Sequence, residues 1–97
     1  MKVKEEPVGS GIYVFYCVGC ACHHHVHTFT KNSSGAIWAY NGDAKKPTFT
    51  PSLHIWSENK KGTRHTSCHS VVTDGMIKYG DDCAHGYAGT TIEIPEI

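Results

Sequence analysis

Three cysteines and four histidines lie within the eleven residues from Cys17 to His27, which read Cys-Val-Gly-Cys-Ala-Cys-His-His-His-Val-His. A second group of thiols and imidazoles follows far downstream, at Cys68, His69, Cys83 and His85. Thiolate and imidazole groups brought together by folding are the ligands that zinc and other thiophilic metals take. The sequence therefore predicts a metal site. Zinc is the expected ion, although the residues do not distinguish it from iron.

The spacing of Cys17 and Cys20 is that of a zinc knuckle. Two intervening residues let a tight turn aim both sulfurs at one ion, and Gly19 gives that turn a permissive backbone. Cys68 and Cys83 as a second pair of thiols would complete a closed, four-thiolate site, and the remaining ligands are expected among the thiol and imidazole groups from Cys68 to His85. Two buried free thiols are the plainer alternative for the knuckle. The predicted ligands are Cys17, Cys20, Cys68, Cys83 and His25.

Composition limits the classes of partner. Nine basic and nine acidic side chains cancel, so no positive field favours a nucleic-acid backbone. The longest apolar run, Ile12 to Tyr16, is too short to cross a bilayer, and the first residues lack the apolar core of a signal peptide. We therefore expect no membrane association and a cytoplasmic location, where a reducing environment leaves five cysteines available to metal.

No window of the chain shows a sustained helical period, whereas several short runs are rich in β-branched and aromatic residues. The sequence predicts a single all-β domain over residues 1–97, mainly antiparallel, with about six to eight short strands and at most one helical turn near 84–88. Residues 1–11 are expected to form a frayed lead-in. The polar segment Ser57 to Arg64 is expected to be an exposed loop, and Pro51 implies a strand edge or a break.

The clearest local prediction is a hairpin with Asp74-Gly75 as its two-residue turn. Counting outward from the turn pairs Thr73 with Met76 and places His69 opposite Gly80. On that count Cys68 faces the core and His69 projects to the opposite side. Neighbouring strand residues therefore should not ligate the same ion, and one of the two is expected to have another function.

A catalytic metal site needs three protein ligands, an open position for water and a nearby base. His24 or His25 together with His69 and His85 could supply the ligands, and Asp82 could supply the base. The predicted catalytic residues are His69, His85 and Asp82. A cysteine nucleophile, either Cys22 beside the histidine run or Cys68 beside His85, is a further option.

Several motifs together resemble a family of small phage and bacterial zinc-binding proteins of unknown function, whose phage members are often mislabelled "ammonia monooxygenase". The motifs span most of residues 12 to 95. They are Phe15-Tyr16-Cys17-x-x-Cys20, Asn41-Gly42-Asp43, Lys46-Pro47-Thr48-Phe49-x-Pro51-Ser52-Leu53, Cys68-His69-Ser70, Asp74-Gly75, Asp82-Cys83-x-His85 and Ala88-Gly89.

More distant relatives look like proteins encoded beside bacterial ubiquitin-like conjugation enzymes, in the place of a deconjugating peptidase. They share the thiols of Cys17 to Cys22 and a histidine near His69, but Cys83 and His85 have no match in them. The resemblance implies a zinc-dependent hydrolase that acts on a peptide or ester bond at a ubiquitin-like tail.

The function expected from the sequence is thus a zinc-dependent, peptidase-like hydrolase with a protein or peptide partner. The alternative is a non-catalytic interaction module in which a closed zinc site holds the strands together. A nucleic-acid-binding zinc ribbon is disfavoured by the neutral charge.

Overall fold

Short runs of β-branched and aromatic residues, separated by glycine- and proline-containing turns, form eight antiparallel strands. The computed structural model describes residues 1–58 and 64–97. Its strands are β1 (Lys4–Glu5), β2 (Ile12–Cys17), β3 (Cys22–His27), β4 (Ala39–Tyr40), β5 (Phe49–Glu58), β6 (Arg64–Thr73), β7 (Met76–Tyr79) and β8 (Thr91–Glu93). The predicted fold class and strand number are confirmed.

The strands form two sheets, with the orders β1-β2-β3 and β4-β5-β6-β7-β8. Strands β5 and β6 extend into the segment expected to be a loop, and the rest of that segment, 59–63, lies outside the described residues. The turn expected near 84–88 is not helical. In the part of the chain that the structure describes, no helix is long and apolar enough to span a bilayer.

One hydrophobic cluster joins the two sheets. The three-stranded sheet contributes Phe15 and Val26, and the five-stranded sheet contributes Phe49, Ile77 and Tyr79, none of them more than 2% exposed. Alternation along each strand places these side chains on one face of each sheet. Burial of this apolar area is the main stabilising contribution to the fold.

The predicted hairpin is confirmed residue by residue. Thr73 pairs with Met76, and Gly80 N donates to His69 O at 2.7 Å. Both turn residues have positive φ, 50° at Asp74 and 79° at Gly75, as a type I′ turn requires. The turn therefore fixes the register of β6 against β7, and strand alternation then places the Cys68 and His69 side chains on opposite faces of the sheet.

The lead-in is not frayed as expected. Strand β1 pairs with β2, and Val3 is fully buried in the hydrophobic cluster. Lys2 N donates to Ala44 O at 2.7 Å, and Lys2 Nζ contacts Glu93 Oε1 at 2.6 Å. The charged composition gave no indication that this segment is ordered. The stem of the Lys2 side chain is buried, while its ammonium group reaches a carboxylate near the surface.

Strand β5 has an irregularity near Pro51, as the sequence predicts. Phe49 pairs with Val72 and Leu53 pairs with Ser70, so β5 advances four residues while β6 advances two. A bulge of this kind re-aims the side chains it contains. Ser52 lies within it.

We expect Val3→Ala to lower the free energy of unfolding by about 1–3 kcal/mol, because it removes buried methyl groups from the cluster. Val8→Ala is the matched control, because Val8 is 90% exposed. Urea denaturation followed by circular dichroism measures both. Equal stability of the two variants would contradict the buried position of β1.

Candidate functional site

One imidazole connects a hydroxyl and a carboxylate. Ser52 Oγ lies 3.1 Å from His69 Nε2. His69 Nδ1 lies 3.2 Å from Asp82 Oδ2. A serine hydroxyl on one ring nitrogen and a carboxylate on the other is the geometry of a serine–histidine–aspartate triad.

Strand pairing produces this arrangement. Register places His69 of β6 opposite His54 of β5, and the bulge at Pro51 brings Ser52 to the same ring. Asp82 follows the end of β7 in a turn in which Cys83 N donates to Gly80 O at 3.3 Å. The three side chains therefore come from β5, from β6 and from the turn that follows β7.

The Cys83 thiol contacts the backbone of the same histidine. His69 N donates to Cys83 Sγ at 3.2 Å, and Cys83 Sγ donates to His69 O at 3.2 Å. Asp82 and Cys83 thus contact the side chain and the main chain of His69 from one turn. Cys83, predicted as a metal ligand, helps to position the imidazole.

A second imidazole covers one face of the His69 ring. The rings of His54 and His69 stack with centroids 4.5 Å apart and planes 8° from parallel. Their nitrogens and the Asp82 carboxylate lie close enough to share an ion. However, a metal bound by two imidazoles lies in the plane of both rings, and stacked planes do not meet. The arrangement therefore suits proton transfer better than metal ligation.

Ser52 opens onto a cavity of about 940 Å³ between β5 and the loop that precedes β4. Asn32 and Trp38 line its loop wall, and His54 lies on its strand wall. Trp38 Nε1 donates to Ser52 O at 3.3 Å, which ties the loop to the backbone of the serine. A peptide segment could therefore approach the hydroxyl from this side.

A second cluster is formed by residues of β2, the turn after it, β3 and β6. Ligand atoms of Cys17, Cys20, His24 and Cys68 all lie within 4.8 Å of one another. Cys17 and Cys68 are at most 1% exposed, and His24 Nε2 is buried without a hydrogen-bond partner in the described residues. Three sulfurs with one nitrogen form a structural zinc ligand set. An unpaired buried nitrogen beside three thiols fits a bound metal.

His24 takes the position that the sequence analysis assigned to His25. In β3 the side chains of His24 and Val26 face the core, while His25 is exposed on the opposite face. Strand alternation is the cause, since adjacent residues point in opposite directions. The apolar Val26, two residues after His24, is the sequence signal that could have selected the correct histidine.

The thiols of this cluster shift one another's pKa values. The pKa of the Cys17 thiol is lowered to about 3. The largest cause is a hydrogen bond from Cys68, and contacts with His24 and Tyr79 lower it further. Desolvation and the nearby Cys17 charge raise the pKa of Cys20 to about 11. The hydrogen bond to Cys17 and burial also raise the pKa of Cys68. One thiolate is thus favoured without a cation, and a divalent ion would stabilise the others.

His85 does not join His69 and Asp82, although all three were predicted to be catalytic. Its ring packs edge-on against Tyr79 with centroids 4.6 Å apart, and its Nδ1 accepts a hydrogen bond from Tyr87 N at 3.2 Å. It lies within ligand distance of Cys68 and Cys83. A Cβ at Gly19 would overlap the His85 ring, so close approach is the reason for glycine there.

Ser52 was not among the predicted site residues. Its role depends on the pairing of β5 with β6, whose connection lies in the segment 59–63 beyond the described residues. Alternation along the predicted strand places Ser52 and His54 on one face, which was the available signal. His69 and Asp82 were selected for metal chemistry, and the structure places both beside this serine.

The fold and the site define a small all-β protein with a serine–histidine–aspartate arrangement and a thiol-rich cluster able to hold a metal. A family model described as "Bacterial ubiquitination-like system serine protease (BubE)" matches residues 1–80. The chain belongs to this family. The matched region contains Ser52 and His69, and Asp82 follows two residues beyond it. Comparisons with curated proteins and with solved structures returned no match.

We expect His24→Ala to reduce the bound metal to well below one equivalent, because it removes one of four ligands. His25→Ala should retain the metal, because this neighbouring side chain faces the other way. Elemental mass spectrometry on untagged protein measures the content, and X-ray absorption should show three sulfurs and one nitrogen. Equal loss of metal in both variants, or an absence of metal from the parent protein, would contradict this ligand set.

Proposed function

We propose that the protein is a serine peptidase in which Ser52 is the nucleophile, His69 the general base and Asp82 the residue that orients the imidazole. The observation that supports this proposal is the pair of contacts on the His69 ring, 3.1 Å to Ser52 Oγ and 3.2 Å to Asp82 Oδ2. The family description as a serine protease agrees with it.

In the reaction, Ser52 Oγ attacks the substrate carbonyl carbon while its proton moves to His69 Nε2. The imidazolium then gives that proton to the leaving nitrogen or oxygen as the bond to it breaks. Water hydrolyses the resulting acyl-serine with His69 again acting as base. Asp82 is half-exposed, so its main contribution is to fix the ring orientation and to keep the proton on Nδ1.

The metal that fits Cys17, Cys20, His24 and Cys68 is zinc, and its proposed role is structural. These residues come from β2, the turn after it, β3 and β6, so the bound ion would cross-link the two sheets and hold the thiols as thiolates. Four protein ligands form a closed site. The zinc-dependent hydrolysis expected from the sequence is the alternative, because His24 of this cluster lines the same cavity as Ser52. Four protein ligands would leave the ion no open position for water, which favours the structural role.

The proposed substrate is a peptide or ester bond at the tail of a ubiquitin-like protein, and the description of the family as a serine protease of a bacterial ubiquitination-like system supports it. The partner is then a protein whose flexible end enters the cavity beside Ser52. A cavity with one wall of strand and one of loop suits an extended chain end better than a folded surface.

We expect Ser52→Ala to abolish covalent labelling by a fluorophosphonate probe, because the probe reacts with an activated serine hydroxyl. Ser34→Ala is the control, because Ser34 lines the same cavity without a contact to His69 among the described residues. Intact-mass measurement of the labelled protein gives the stoichiometry. No labelling of the parent protein, or equal labelling of both variants, would favour the non-catalytic interaction module.

We expect Asp82→Asn to lower the rate of labelling by about 10²–10⁴-fold, because the amide no longer holds the required tautomer. Asp81→Asn removes the same charge from the neighbouring residue and should change the rate little. The second-order rate constant, measured across pH, separates loss of orientation from loss of fold. Matching rates in the two variants would remove Asp82 from the mechanism.

A further inference from the structure

Attack by Ser52 turns the substrate carbonyl oxygen into an anion, and a serine peptidase needs hydrogen-bond donors at that position. The backbone next to Ser52 supplies few. Pro51 has no N–H. His69 directs its N–H to Cys83 and its C=O to Gly80, both away from β5. Because directions alternate along a strand, Ser70 and the opposing Leu53 direct their backbone groups toward each other.

Asn32 is a side-chain donor on the same cavity as Ser52. Its Oδ1 accepts from Ser34 N and from Ala36 N, both at 2.9 Å. Two backbone donors on one end of the amide identify that end as oxygen. The Nδ2 group is therefore the opposite end, and no hydrogen bond engages it among the described residues.

The loop that holds Asn32 is fixed before any substrate arrives. Asn32 N donates to Ala36 O at 2.8 Å, and Gly35 N donates to Asn32 O at 2.9 Å. Trp38 connects the end of this loop to Ser52 O. A donor held in this way pays no reorganisation cost at the moment of reaction, which is the requirement for stabilising an oxyanion.

We propose that the Asn32 side-chain amide donates a hydrogen bond to the oxyanion formed when Ser52 attacks the substrate, an inference that rests on the proposed serine peptidase function. As the Ser52 Oγ–carbon bond forms, the π electrons of the carbonyl move to its oxygen, and Nδ2–H stabilises that charge. When the oxygen re-forms its double bond, the leaving group departs with the proton from His69. Asn32 itself gains and loses no proton.

The test compares Asn32→Asp with the parent protein. The aspartate retains both hydrogen bonds that Oδ1 accepts within the loop, but it replaces the donor by an acceptor. We expect turnover of p-nitrophenyl acetate and the rate of fluorophosphonate labelling to fall by about 10²–10³-fold. KM and the thermal unfolding midpoint should change little. Asn32→Ala should show a similar rate loss.

Asn41→Asp is the matched control. Asn41 Oδ1 likewise accepts from two backbone N–H groups, of Asp43 and Thr48, and Asn41 does not line the cavity. Its Nδ2 donates to Lys46 O at 2.9 Å, so this substitution disturbs its own loop more than Asn32→Asp does. Parent-like rates in Asn41→Asp with the expected loss in Asn32→Asp support the inference. A rate within threefold of the parent in Asn32→Asp overturns it, while Ser52→Ala still tests the proposed function separately. Absence of reaction in the parent protein overturns both.

Discussion

The antiparallel pairing of β5 with β6 is the interaction on which both clusters depend. It places His69 opposite His54 and Cys68 opposite Ile55. Consecutive residues of β6 point to opposite faces, so the thiol enters the core while the imidazole meets Ser52 at the cavity. Two chemically different sites therefore share one strand, and the separate functions expected for Cys68 and His69 are explained by strand geometry alone.

In the proposed function, this arrangement would couple metal binding to catalysis without making the metal a reactant. An ion held by Cys68 would fix the backbone of β6 one residue from His69, and Tyr79 of β7 contacts the thiol cluster. Its hydroxyl lies 3.2 Å from Cys17 Sγ and accepts from Gly19 N at 3.0 Å. Contacts of this kind orient metal ligands. A small domain with a modest hydrophobic core would gain stability from such a cross-link at β6.

Local sequence rules predicted the parts of the structure that depend on short-range chemistry. The Asp74-Gly75 turn fixed its own register, and the residue pattern predicted strands throughout. The position of Ser52 could not be obtained in this way, because it depends on a bulge and on the register of β5 against β6. The choice of His25 over His24 did not apply the alternation of the strand, which places His24 on the same buried face as Val26 and exposes His25.

Residues 1–11, the expected lead-in, show a different limit of prediction from the sequence. Composition alone predicted a frayed segment, yet one buried side chain, Val3, and one paired ammonium group, Lys2, fix it to the sheets. Charged segments are misjudged when their apolar positions are few but well placed, because the burial of one valine, the pairing of β1 with β2 and the Lys2 ion pair together help to offset the entropy of ordering the segment.

The walls of the cavity indicate how a substrate is recognised. Its lining contains no aspartate, glutamate, lysine or arginine among the described residues. Apart from the three histidines in the lining, electrostatic attraction would therefore contribute little to selection of the proposed substrate, in agreement with the balanced charge of the whole chain. Selection would then come from shape beside Ile37 and Trp38 and from hydrogen bonds to the substrate backbone. A flexible, uncharged chain end satisfies both requirements, because it can extend along the wall and present a carbonyl to Ser52.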